Sequence, residues 1–236
     1  MTHTRLNITF ALWIVGLWIA FFAGPSVFAQ STDNCGALSS PGQYGPFDYR
    51  TDPKPQAVVL SVHFTSEVEA LIRGTTSRGP GNDIDYTLRA IPNNHRALIS
   101  MMRLGEREKT SKPNGSRFTV ECWFERAIRF RPDDSIVRMI YSTYLHRNGR
   151  SPEANNQLEL ATTYAKDSGF THYNIGLHYF DVKNYDKALI QAHKAIELGF
   201  TQTALRDQLQ SVGKWTEPAD SPVIPATDTP PVEPTK

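Results

Sequence analysis

Cysteine is scarce in this chain, and its two copies, Cys35 and Cys122, lie far apart. Neither has another cysteine or a pair of histidines nearby, so the ligand spacing of a zinc site is missing. Basic residues are not concentrated either, since 25 lysines and arginines stand against 24 acidic residues and give a formal net charge of +1. Nucleic-acid binding needs clustered positive charge. We therefore expect neither a metal site nor a nucleic-acid partner.

The chain also lacks the short motifs of common catalytic sites. It contains no glycine-rich phosphate loop, no Gly-x-Ser-x-Gly and no His-Glu-x-x-His. Asp85 and His95 flank Pro92 and could meet at a junction between helices, or Asp85 could cap one helix while His95 begins the next. The other polar candidates are His63, Asp83, Glu121, His172 and His178. His172 and His178 are six apart, which puts them on opposite faces of a helix. We expect a protein that has neither catalytic activity nor a cofactor.

One long apolar run is present, from residue 10 to residue 23, and only Gly16 interrupts it. It follows a single charge, Arg5, and precedes Gly24, Pro25 and the small residues before Gln30. This order is typical of a secretory signal, and we predict cleavage after Ala29. The alternative is an uncleaved membrane anchor, which a run of this length would span only poorly. We expect an exported, periplasmic or secreted protein without stable membrane insertion.

Export changes how the two cysteines are interpreted. Thiols in an oxidising compartment tend to pair, so Cys35 and Cys122 are predicted to form a disulfide. Such a bridge would tie a loop-like N-terminal stretch to a helix. The alternative is two isolated thiols.

Small residues recur at a fixed interval in the second half of the chain. Ala127, Ala161 and Ala195 are thirty-four residues apart, as are Ala154 and Ala188, and each lies in a segment with helical apolar spacing. The intervening stretches SIVRMIYSTYLHRNG and FTHYNIGLHYFDVKN are each plausible first helices of a pair. The pattern predicts a repeat built from two helices.

The period and the residue classes resemble the tetratricopeptide repeat, an antiparallel helix pair of about thirty-four residues. The third copy carries Gly176, Tyr179 and Tyr185 where the family places small and aromatic residues, whereas the second copy has Ser142 and Leu145 at the first two of these places. The resemblance implies an all-α, right-handed superhelical stack of antiparallel helix pairs. DYTLRAIPNNHRAL and CWFERAIRFRPDD also resemble a group of exported proteobacterial repeat proteins, which implies a bacterial periplasm and no particular chemistry.

The remaining segments complete the expected domain organisation. Residues 1–29 form the signal and 30–64 an irregular segment, within which AVVLSVHF could be a strand or a helix. Residues 65–215 form about four helix pairs, with GEREKTSKPNGSR as an enlarged loop, and a capping helix that starts after Thr201 and stops at Gly213. Residues 216–236 are rich in proline and are predicted to be disordered.

The tetratricopeptide resemblance also implies a binding face, because the first helix of each pair lines the concave groove in that family. We expect a non-catalytic scaffold that binds another protein or a peptide there. Asn174 is the strongest candidate, since an amide can both donate to and accept from a partner's backbone. The full set of expected contacts is Arg103, Met139, Thr143, Arg147, Tyr173, Asn174, Leu177 and Asp181. The alternatives are an envelope enzyme that uses the Asp85/His95 region and a small-ligand carrier that uses the His- and Tyr-rich inner face.

Overall fold

The computed structural model describes residues 35–218, and within that range all regular structure is helical. The predicted signal (1–29) and nearly all of the predicted tail (216–236) lie outside the described residues. The ten helices are α1 (Pro53–His63), α2 (Ser66–Glu69), α3 (Gly81–Ala90), α4 (His95–Glu108), α5 (Val120–Phe130), α6 (Ser135–Arg147), α7 (Ser151–Ala165), α8 (Gly169–Asp181), α9 (Tyr185–Glu197) and α10 (Ala204–Ser211). The all-α prediction is confirmed.

Side-chain caps fix the starts of most of the longer helices. The Asn94 side chain accepts from the backbone N–H of Ala97 at the start of α4, and Thr119 caps α5 in the same way. Asp134, Ser168 and Asn184 cap α6, α8 and α9. Each cap satisfies a backbone donor that the helix itself leaves unpaired.

Consecutive helices pack in pairs, and the closest pairs are α6 with α7 and α8 with α9. Ser135 and Gly169 begin the first helices of these pairs, and Ser151 and Tyr185 begin the second, so each start recurs after thirty-four residues. The alanines of the pattern are buried at the pair interfaces, where a small side chain lets two helices approach closely. The last helix, α10, packs on both α8 and α9.

Two apolar clusters form most of the core. The first surrounds Trp123 and Phe124 and draws on the helices from α2 to α7, and the second surrounds Tyr179 and draws on α6 to α10. Ile136 packs against both clusters, so α6 connects them. None of the helices in the described range is both long enough and apolar enough to cross a membrane.

The structure differs from the predicted boundaries in three places. AVVLSVHF belongs to helix α1 except for its last residue, Phe64, which follows the helix end. Val59 is buried against Ala90 and Ile91, and the prolines of α1 fall in its first turn. Helix α4 continues to Glu108 and so includes the start of the expected loop. The capping helix begins at Ala204 rather than directly after Thr201, although it does end before Gly213.

Residues 35–52 contain no helix or strand, and they lie across α3 and α5 as a segment that we call the N-terminal wrap. The predicted Cys35–Cys122 disulfide is present, with the two Cα atoms 5.2 Å apart. The Arg126 guanidinium donates to the carbonyl oxygens of Cys35 and Ala37 at 2.7 and 2.8 Å. The wrap is therefore fixed to α5 by a covalent bond and by a buried arginine.

Candidate partner-binding face

Helices α4, α6 and α8 lie side by side, and side-chain contacts join neighbours. The Arg147 guanidinium of α6 donates to Glu106 of α4 at 2.8 Å. The Thr143 hydroxyl of α6 lies 3.1 Å from Nδ1 of His178 on α8. The side chains next to these contacts therefore form one continuous surface, which we call the α4/α6/α8 face.

On α8, the exposed part of this face begins with an aromatic side chain. Phe170, Asn174 and His178 follow one another at intervals of four residues, so they lie along one side of the helix. Phe170 is 57% exposed and packs edge-on against Phe200, with ring centroids 5.8 Å apart. The Asn174 amide donates to the Phe170 carbonyl oxygen at 2.8 Å. Its own oxygen accepts no hydrogen bond from the described residues, which leaves an acceptor available on the surface.

Some of the predicted contact residues lie beneath the surface. Met139 is only 4% exposed and belongs to the second core cluster. Tyr173 and Leu177 are half-buried against the same cluster, and the Tyr173 ring lies 4.9 Å from that of Phe200. These three side chains shape the face from below, and Met139 has little surface to offer a partner.

The charged residues of the face are of both signs. Arg103 and Asp181 are exposed, and neither forms an ion pair within the described part of the chain. Arg147 and Glu106 are also exposed and pair with each other. Because an exposed pair is weak, either member can exchange its partner for an incoming group at little cost.

His178 is held neutral at the centre of the face. Burial lowers its pKa below the ordinary value of 6.5, although nearby Asp181 acts in the opposite direction. A neutral imidazole can donate from one nitrogen and accept at the other, so Thr143 can satisfy one side while the ring remains uncharged. The side chain therefore links α6 to α8 without adding charge to the face.

Sequence reasoning missed Phe170, Glu106 and His178 as members of this face. The signal for Phe170 was present, since it precedes Tyr173 and Asn174 by three and four residues on the same helix. Glu106 had no comparable signal, because it lies in a stretch that was predicted to be loop. His178 was considered as a catalytic candidate and within the His- and Tyr-rich face of the carrier alternative, but not as a contact for a polypeptide partner.

The enlarged loop borders the same face at a cleft of about 280 Å³. Glu106 belongs to both the face and this cleft. The cleft is also lined by loop residues and by residues at the end of α6: Lys109, Thr110, Ser111, Tyr144 and Asn148. A chain bound along α4 and α6 would reach this cleft next.

The Asp85/His95 pairing expected of an enzyme does not form. Asp85 accepts from Arg89 Nε at 2.9 Å and from the backbone N–H of Arg117 at 2.7 Å. His95 instead lies 3.0 Å from both carboxylate oxygens of Asp134. Asp85 also lies inside α3 rather than at its start, whereas His95 does begin α4 as the alternative held.

The His95 contact belongs to a buried polar cluster that joins the wrap to two helix starts. The Asn93 amide donates to Asp48 at 2.8 Å and to Asp134 at 2.9 Å. Asp134 also accepts from the backbone N–H groups of Ile136 and Val137, which makes it the cap of α6. These carboxylates are satisfied by structural partners, so the cluster supports the fold.

A different histidine and carboxylate do meet. His63 Nδ1 lies 3.0 Å from Asp83, whose carboxylate also accepts from the backbone N–H of Thr75 at 2.8 Å. The His63 ring stacks on Tyr86, with centroids 3.9 Å apart. This arrangement could orient a base, but Nε2 of His63 contacts no nucleophile or second acid within residues 35–218.

The histidines and tyrosine of the expected carrier surface contact separate partners. His172 bonds to Gln191 and to the Lys166 carbonyl, on the side of α8 away from His178. Tyr173 packs on Phe200. These contacts are consistent with the prediction that His172 and His178 lie on opposite faces of α8. The rings of His172, His178 and Tyr173 therefore do not line one site.

The disulfide also has an acidic neighbour. A Glu125 oxygen lies 3.0 Å from Cys35 Sγ. This arrangement is a contact rather than a hydrogen bond, because a disulfide sulfur carries no proton. The two sulfurs are bonded to each other and cannot act as thiolate ligands, so this trio does not make a metal site.

A scan against protein-family models finds no matching family, and comparisons with curated proteins and with solved structures find no match. The structure itself establishes an all-helical domain whose helices pack in pairs.

Proposed function

We propose that the chain is a non-catalytic scaffold that binds another protein or a peptide on the α4/α6/α8 face. In this proposal α4–α5, α6–α7 and α8–α9 are tetratricopeptide-like pairs in a right-handed superhelix. The fourth of the predicted pairs is degenerate and corresponds to α2 and α3, and α10 covers the last pair. The thirty-four-residue recurrence of the helix starts and the buried alanines support the repeat assignment.

The observation that carries the functional proposal is the composition of the exposed α8 surface. Phe170 offers an apolar anchor, Asn174 a side-chain amide oxygen that is free to accept from a partner's backbone, and Asp181 a charge, all on one helix side. Aromatic side chains, phenylalanine among them, are enriched at the cores of protein–protein interfaces. Thr143 and Arg147 extend that surface onto α6.

We place this scaffold in the bacterial cell envelope after removal of residues 1–29. The disulfide is consistent with an oxidising compartment. Intact-mass analysis of the exported protein tests the processing step, which is expected to leave Gln30 as the first residue.

Site-specific photo-crosslinking in the native host tests the proposed face. A photoreactive phenylalanine analogue is placed at Asn174 or Arg147, and a matched copy replaces Thr163, which is exposed on the second helix α7. The proposal predicts the same polypeptide adduct from positions 174 and 147 and none from position 163. Adducts that form only from position 163 would place the partner elsewhere on the molecule.

A further inference from the structure

A second polar cleft lies between the N-terminal wrap and α3. It encloses about 320 Å³, which is within the range of small-molecule sites. Ser40 and Tyr44 of the wrap form one wall, and Tyr86, Arg89 and Arg117 form the other.

The two arginines of this cleft share a single carboxylate. Asp85 accepts from Arg89 Nε at 2.9 Å, and it lies 3.6 Å from Arg117 Nε. The terminal nitrogens of both guanidinium groups have no hydrogen-bond or ion-pair partner among residues 35–218. Each group therefore keeps the two-pronged donor edge that binds carboxylate or phosphate.

A third guanidinium, that of the buried Arg126, adds to the positive potential of the cleft. Burial, followed by the neighbouring charges of Arg129 and Arg89, lowers the pKa of Arg126 to about 10, and Asp85 offsets part of this effect. Arg126 is still protonated at neutral pH. Its charge interacts with Arg89, which lines the cleft, and with Asp85, which pairs with both cleft arginines, so one carboxylate stands among several cations.

The wrap is held firmly against α3, which gives the cleft a fixed shape. Gln43 donates to the Arg89 carbonyl at 2.8 Å, and the Phe47 N–H donates to the Ala90 carbonyl at 2.9 Å. Gly45 has a φ of +100°, and a Cβ there would lie 2.4 Å from the Ala90 oxygen. Only glycine permits this approach. The disulfide at Cys35 fixes the other end of the wrap.

Aromatic rings complete the lining. Arg89 lies over the Tyr86 ring, 5.2 Å from its centroid, and the Tyr86 hydroxyl has no hydrogen-bond partner in the described part of the chain. Tyr44 is exposed at the rim. Because His63 also stacks on Tyr86, a planar or apolar portion of a ligand could pack against the edge of Tyr86 and against Tyr44 while its charged group meets the arginines.

We infer that this cleft binds a small molecule that combines an oxyanion group, carboxylate or phosphate, with a planar apolar portion. Arg117 and Arg89 hold the oxyanion, and Tyr86 and Tyr44 contact the planar portion. The site is separate from the α4/α6/α8 face and does not depend on the scaffold proposal. It also gives the disulfide-bonded wrap a role of its own, since the wrap forms one wall.

Calorimetric titration of the disulfide-bonded, exported protein tests the inference. The probes are benzoate and phenyl phosphate, with benzyl alcohol as the uncharged analogue. At least one anionic probe is expected to bind saturably and about tenfold or more tighter than benzyl alcohol. Comparison of the two anions shows which oxyanion the cleft prefers.

Two arginine variants assign the binding to this cleft. Arg117 is 63% exposed, and its structural bond to Asp85 comes from the backbone, so Arg117→Ala retains that bond. It is expected to weaken the anionic probe about tenfold, while Arg78→Ala, which removes an exposed arginine outside the cleft lining, leaves binding unchanged. The inference is overturned if neither anion saturates below about 10 mM, or if both variants behave alike.

Discussion

At the residue scale, two adjacent aspartates at the start of α6 have different structural roles. Asp134 is buried, caps the helix and bonds to Asn93 and His95, whereas Asp133 is 57% exposed and, among residues 35–218, pairs with Arg50 alone. Asp134→Ala removes a cap and leaves buried donors without a partner, so we expect a loss of about 2 to 4 kcal/mol. Asp133→Ala should cost less than about 1 kcal/mol. Urea unfolding measures both, and equal losses would contradict the assignment.

Two buried helix serines give a second matched pair. The Ser142 hydroxyl on α6 is buried and has no partner among the described residues, whereas Ser100 on α4 donates to the Glu69 carbonyl at 3.1 Å. Ser142→Ala removes an unsatisfied group and favours the helix, so it should stabilise the protein by about 0.5 to 1.5 kcal/mol. Ser100→Ala should destabilise it by about 1 kcal/mol. If both substitutions shift the unfolding midpoint in the same direction, the Ser142 assignment is wrong.

The buried carboxylates also determine how stability depends on pH. Burial opposes ionisation of Asp134, but the hydrogen bond and charge of His95 and the Asn93 amide outweigh it and lower its pKa. An unfolded aspartate has a pKa of about 3.9, so below that pH the unfolded state binds protons first. Stability should therefore be full near pH 6 and fall progressively as the pH drops through about 4. Urea midpoints across that range should fall less steeply in Asp134→Asn than in Asp133→Asn. Parallel curves would exclude this contribution.

At the element scale, the helices that could be predicted from sequence are those whose pattern is local. α8 and α9 carry helical apolar spacing, a capping Ser168 or Asn184 and buried small residues, and they form as expected. The sequence of α1 could not be assigned to a helix or a strand, because its apolar run is short. Its helical conformation depends on contact with Ala90 and Ile91. The extension of α4 to Glu108 also depends on tertiary packing, since Gly105 fits closely against Val120.

The wrap is the element that depends most on the disulfide. Cys35 and Cys122 are separated by 87 residues in sequence, and closing such a loop stabilises a fold by at most about 4 to 5 kcal/mol on the chain-entropy model. In Cys122→Ser the wrap should become sensitive to protease at temperatures where the helices are still folded. Limited proteolysis with mass analysis, beside circular dichroism, measures the order of these events. Two titratable thiols in the native, air-purified parent would contradict the bridge.

At the scale of the whole molecule, fold class was easier to predict than the candidate site. The spacing of the alanines predicts helix pairs, because two helices can pack closely only where a small side chain lies between them. Surface availability depends on how successive pairs meet. Met139 is covered, while Phe170 remains exposed although the Phe200 ring packs beside it. The Asp85 and His95 partners also depend on the long-range positions of Arg117 and Asp134, which no local pattern contains.

The central claim is that a polypeptide partner binds the α4/α6/α8 face through the Asn174 amide and the Arg147 guanidinium. Its most direct measurement is the affinity of the crosslinked partner, once purified, for the parent and for three single variants. Asn174→Ala and Arg147→Ala should each weaken binding by about 1 to 3 kcal/mol, because each leaves a group of the partner unmatched. Thr163→Ala should bind as the parent does. If all three variants bind with the parent's affinity, the face is not the binding site.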